Sequence, residues 1–259
     1  MTSTLTDRQR QSSAKAALTW LGLGLGLLTS DSFASNDPKE RDLMQHSSYT
    51  QAPDARLTKQ QAAIIPIAAY GAMGDMPKLE KALAAGLDAG LAISEIKEVI
   101  IQLYAYAGFP RSLNAMGKFM EVVDQRRKQG RSDPLGEEPR NPALEGEALL
   151  AAGTATQTKL VGATVEGPLF EFAPTMNTYL RTHLFGDIFN RENLGWQNRE
   201  LATLGMLAGL TGVASQLKAH IGIARNTGVS DAQFASIGTV LAESVDEPSA
   251  NRFREALSQ

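Results

Sequence analysis

Few side chains in this 259-residue chain can move a proton near neutral pH. Imidazole is the group whose ordinary pKa lies in that range. The chain has three histidines: His46, His183 and His220. Three histidines make a multi-histidine metal site within one chain an unfavourable expectation, and there are no cysteines. Their absence removes disulfides, thiolate metal ligands, cysteine nucleophiles and dithiol redox chemistry together. The expectation is chemistry without a metal or an organic cofactor. Among the cations, Arg111 ends the segment Gly108-Phe-Pro-Arg111. A guanidinium there suits two-pronged binding of a carboxylate. The competing reading is a helix–helix turn with a solvated arginine. Tyr104, Tyr106 and Phe109 beside it form either an apolar wall or ordinary core aromatics.

The elements that would position these groups are helical. In the stretch 201–210, Leu201, Leu204, Leu207 and Leu210 recur every three residues, a helical stripe that Gly212 breaks. A second helix over about 216–226 stops at Gly228, a favourable residue just past a helix end. Ser230 followed by Gln233 has capping-box spacing and opens a third helix. The same plan occurs earlier, over about 59–72, 77–88 and 94–107, with a further helix running to about Arg127. No stretch alternates strongly enough to argue for a sheet.

The two sets match at a fixed offset of 138 residues, ungapped from residue 62 to residue 110. Identities include Gly71/Gly209, Gly74/Gly212, Leu79/Leu217, Gly90/Gly228, Leu103/Leu241 and Pro110/Pro248. Shared glycine and proline carry most weight, because they mark helix ends and turns. The reading is two tandem copies of one helical module. A linker, 130–142, separates a first module, 57–129, from a second, 143–259, whose opening portion to 195 is a helical prelude.

Composition is that of an ordinary globular chain, with 43% hydrophobic and 20% charged residues. The formal net charge of −3 gives a nucleic-acid role no electrostatic support. The short basic run Arg126-Arg127-Lys128 sits at an expected helix end, where cations suit the helix dipole. At the N-terminus, Arg8, Arg10 and Lys15 precede an apolar stretch, 16–28, and small residues at Ser32 and Ala34. That pattern reads as an export signal over 1–34, with a mature chain beginning near Ser35 in the periplasm or outside the cell. Residues 35–56 read as a polar leader.

The second copy reads Leu184-Phe-Gly-Asp-Ile-Phe-Asn-Arg191, then Asn198-Arg-Glu200-Leu-Ala-Thr, then Gln216-Leu-Lys-Ala-His220, then Gly228-Val-Ser. It resembles the carboxymuconolactone decarboxylase module. The first copy, through Gly90-Leu-Ala-Ile-Ser-Glu95-Ile-Lys-Glu98, Tyr106-Ala-Gly-Phe-Pro-Arg111 and Asn114-Ala, resembles the later half of that module. The resemblance covers roughly 57–250 and implies an all-α chain of two alkylhydroperoxidase D-like modules. Relatives with peroxidase chemistry use a Cys-x-x-Cys pair, which this chain lacks. The cofactor-free decarboxylase branch acts on a carboxylated muconolactone, usually in the cytoplasm, so an export signal would be a departure.

The resemblance places Glu200 and His220 at the family's acidic and histidine positions, on consecutive helices. Decarboxylation of a lactone acid leaves an anion that must be protonated at carbon. A histidine can deliver that proton and a carboxylate can orient the ring. The plainer reading makes Glu200 a surface residue near a helix start and His220 a partly buried polar residue. His183 either lines the same cleft or is a helix-end histidine. At the 138 offset Ala82 faces His220 and Ser249 faces Arg111, so each copy keeps a different half of the pattern. One account is a composite site, with Arg111, Tyr106 and Asn114 of the first copy holding the substrate.

Three functions follow as expectations. The first is cofactor-independent decarboxylation or isomerisation of a small carboxylated lactone or related acid. The second is non-catalytic binding of a small acid on the same fold. A peroxidase label survives by resemblance alone. Family members with one module resemble hexamers, so a fused pair is expected to form a homotrimer.

Overall fold

The structure, a computed structural model, describes residues 56–259. The export segment, nearly all of the polar leader, and His46 lie outside the described residues. Those described form eleven α-helices and one π-helix, with no strand among them. A first set comprises α1 (Lys59–Met73), α2 (Met76–Asp88), α3 (Ile93–Ala107) and α4 (Phe109–Lys128). A middle stretch holds α5 (Gly146–Val161), α6 (Pro168–Phe172), α7 (Pro174–Tyr179) and the π-helix Leu180–Ile188. A second set comprises α8 (Trp196–Gly209), α9 (Ala214–Asn226), α10 (Asp231–Ser244) and α11 (Glu247–Leu257). Among the described residues no helix is long and apolar enough to cross a membrane.

Local chemistry accounts for the helix bounds. Thr58 caps α1 through the Gln61 amide while the Gln61 side chain returns to the Thr58 N–H, and Ser230 and Gln233 do the same for α10. Asp75 and Asp246 cap α2 and α11. Gly74, at φ 78°, closes α1 in the left-handed region that favours glycine. The leucine stripe lies within α8 except for Leu210, which is extended and forms the C-cap. Each set has four helices: the first matches the three read for it and the further helix to about Arg127, and the second has one more than the three read there. The fourth member of the second set, α11, starts beside Pro248, as α4 starts beside Pro110.

The centre of the molecule is the pairing of α1 with α8, its most extensive helix contact. Every residue of α8 from Arg199 to Ala208 is buried. Contacts along the pair show the helices running in the same direction: Gln61 bonds to Gln197, Gly205 lies against Ile65 and Ala68, and Gly209 against Ala69 and Met73. Each of the two also packs on the third helix of the other set, α1 on α10 and α8 on α3. The result is one continuous core, from Ile64 and Leu79 through Leu103 to Leu204, Leu217 and Phe253.

A second, smaller cluster joins the middle stretch to this core. Leu160, Leu184, Phe185, Ile188, Phe189 and Ile223 form it, with Tyr104, Tyr106 and Trp196 packed against it. The linker is pinned rather than loose. Ile93 and Ser94 N–H groups donate to the Pro134 and Leu135 carbonyls, and Arg126 binds Asp88 and Asp133.

Candidate active site

Glu200 sits one turn into α8, and His220 is midway along α9, the next helix. Their side chains meet: His220 Nδ1 lies 2.8 Å from Glu200 Oε2. Glu200 is 0% exposed and His220 8%. The surface reading of Glu200 therefore does not hold. The other carboxylate oxygen, Oε1, is buried and has no hydrogen-bond partner among the described residues. A buried carboxylate with one unpaired oxygen is costly for a fold to keep.

The other imidazole nitrogen faces the first helix set. Tyr106, near the end of α3, brings its hydroxyl to 3.4 Å from His220 Nε2, with the two rings edge to face at 5.5 Å. Burial pushes the Tyr106 phenol above its ordinary range, and the Glu200 charge adds to the rise. Thr203, one turn on from Glu200, donates its hydroxyl to the Arg199 carbonyl at 3.0 Å.

Beneath this trio lies a buried ionic layer that the sequence reading did not anticipate. Glu98 of α3, 1% exposed, receives hydrogen bonds from Arg191, Arg199 and Asn193. Burial alone would raise the Glu98 carboxyl, but the hydrogen bonds and charges of the two arginines outweigh it and hold the group below its usual range. Arg199, fully buried, has its pKa pulled down by burial, with Glu98 opposing. Gln102 donates to the Arg199 carbonyl and to Thr203 Oγ1. The layer thus ties α3 to the start of α8, where Glu200 stands.

The remaining candidates stand apart from the pair. His183 is on the π-helix with its side chain 60% exposed, bonded to Asp187 at 3.0 Å and beside Tyr179. Arg111 is exposed at the start of α4 with its guanidinium alongside Gly74, and Asn114 is exposed one turn on. No hydrogen bond or ion pair links Arg111, Asn114 or His183 to His220 or Glu200. Tyr104 stacks on Phe109 at 4.4 Å. Two clefts lie elsewhere, one beside Leu210, Val213 and Arg252, the other beside Val123, Arg131 and Asp133. Among the described residues no cluster of three or more metal-ligating side chains occurs.

Residues 174–259 match the family model described as the carboxymuconolactone decarboxylase family. Over that stretch the chain is similar to the family. The matched stretch runs from α7 to Gln259 and contains Glu200, His220 and His183. Tyr106, Glu98, Arg111 and Asn114 precede it. The pair at the heart of the site thus lies in the matched stretch, while the hydroxyl facing His220 comes from outside it. No curated protein matches the chain.

Proposed function

We propose that this protein belongs to the carboxymuconolactone decarboxylase family and is a cofactor-independent carboxy-lyase or isomerase of a small carboxylated lactone or related acid, with His220 as the proton source. The observation that carries the reading is the buried Glu200–His220 pair at 2.8 Å. A carboxylate accepts hydrogen bonds and donates none, so it fixes the hydrogen on Nδ1 and leaves Nε2 to exchange protons. As a carboxylate leaves a lactone acid as CO2, its bonding electrons pass into the ring as an enolate. Protonation at carbon completes the reaction. Peroxidase chemistry of the dithiol type has no thiol here to run on.

The reading extends to architecture and setting. α2 and α9 begin and end 138 residues apart, and α3 and α10, like α4 and α11, begin at the same separation. That regularity supports descent of 57–129 and 143–259 from one duplicated module. Export to the periplasm rests on the N-terminal residue pattern, and assembly as a homotrimer on the tandem arrangement and the exposed apolar side chains discussed below.

The test is turnover. Purified full-length protein is incubated with a panel of carboxylated five-membered lactones, and CO2 release and product mass are followed without added cofactor. Release of CO2 from one of them is the expected result. Tight binding without turnover across the panel would move the protein to the small-acid-binding class.

A further inference from the structure

Glu200 is wholly enclosed and His220 nearly so, and the Tyr106 hydroxyl is buried with them although the residue as a whole keeps partial exposure. The imidazole has no nitrogen to spare. Nδ1 is held by Glu200, and Nε2, the one that would meet a substrate, is covered by the Tyr106 hydroxyl. With hydrogen on Nδ1, the neutral ring offers its Nε2 lone pair to the phenol O–H; once protonated, the same nitrogen donates N–H to the phenol oxygen. Either protonation state keeps a hydrogen bond between the two groups, which is what a proton relay requires.

We infer that Tyr106 is a catalytic residue of this site, its hydroxyl handing the proton to the substrate carbon while His220 replaces it. The inference rests on the decarboxylase reading above. In the step, the C–CO2 bond breaks and CO2 departs, leaving the electron pair in the lactone enolate. The Tyr106 O–H bond then breaks and a C–H bond forms. Nε2–H of the imidazolium returns a proton to the phenolate, and the neutral ring takes its next proton from solvent. One proton is consumed per CO2 released, and no redox partner is needed.

The raised phenol pKa makes the phenolate a strong acceptor for the returning proton. At the 138 offset the residue opposite Tyr106 is Ser244, so the second copy has no phenol to offer at that position.

The experiment compares the full-length wild type with Tyr106→Phe, which removes only the hydroxyl, on a lactone acid that the wild type turns over. The expected result is a kcat lower by about 10²–10⁴-fold, the range for a general acid–base group, with KM little changed. The ¹⁵N resonance of His220 Nε2 is expected to move as well, since its hydrogen-bond partner is gone. An unmoved resonance, or a kcat within twofold of wild type, overturns the assignment. A wild type that turns over no lactone acid brings down the underlying reaction instead, and an active wild type with an equally active variant brings down Tyr106 alone. Should Tyr106→Phe fail to fold, 3-fluorotyrosine at position 106 keeps the hydroxyl and lowers its pKa. The kcat at neutral pH is then expected to change by more than twofold, since proton transfer follows the acid's strength, and an unchanged kcat contradicts the role.

Discussion

Glu98 gives the clearest example of a residue whose importance only the fold reveals. On α3 it follows Lys97 and stands one turn on from Glu95, and such a charged run on a helix ordinarily reads as a solvated face. Its partners, Arg191 and Arg199, are 93 and 101 residues away in the chain. Glu200 and His220 were legible by contrast, because their residue types and spacing match a known module. The burial that separates a site from a surface pair was not. Glu98→Gln leaves two guanidinium groups facing a neutral amide, and breaking a buried ion pair of this kind costs about 3–5 kcal/mol. The sign with pH follows from the depressed carboxyl. Its stabilisation is fully present above the ordinary Glu pKa of about 4.3 and fades as pH falls through the lower folded-state value. Thermal unfolding from pH 7 to pH 2 checks this: the wild-type Tm should fall in acid, and the gap between wild type and Glu98→Gln should close there. A gap of constant size across the range would contradict the ionic account.

At the scale of elements, glycine and proline made the helix plan readable. α2, α3 and α9 fall within two residues of the expected bounds, since capping residues and turn glycines are local signals. The π-helix was not readable. Leu180–Ile188 has no sequence feature that separates it from an ordinary helical turn, and its wider winding goes with its packing on α5, where Gly153 and Gly186 allow a close approach. The parallel pairing of α1 and α8 was also hidden, because the offset repeat says which helices are alike and not how they meet. That pairing depends on Gly205, where an added Cβ would stand 2.7 Å from the Ile65 carbonyl oxygen and 3.2 Å from Ala68 Cβ. A backbone atom cannot swing aside. Gly205→Ala should therefore cost about 1–3 kcal/mol through overpacking, read as a fall in Tm of roughly 2–4 °C per kcal/mol for a chain of this size. A Tm equal to or above wild type would show that the helices can move apart freely.

For the whole molecule, the outward apolar side chains are unevenly placed. Phe109, Leu113 and Met120 lie along α4, while Leu169, Phe172, Met176 and Tyr179 lie on α6 and α7, each more than half exposed. Exposed apolar side chains grouped on an element mark interaction surfaces. The proposed homotrimer would cover them, and sedimentation of the purified chain at micromolar concentration should give a single species of three chains. A monomer would remove the oligomer from the account. Phe109→Lys with Leu113→Lys should shift the same measurement toward monomer without loss of helix. The sequence reading arrived at an oligomer from resemblance, and these two apolar stripes supply a physical reason that the further helix to about Arg127 did not disclose.

The account stands or falls on His220 as the source of the proton. The most direct measurement is the kcat of His220→Ala beside wild type, on a lactone acid that the wild type decarboxylates, with binding of that acid measured separately by calorimetry. The account predicts a fall in kcat of about 10²–10⁴-fold with binding retained. A variant that binds and turns over the acid at the wild-type rate would contradict it.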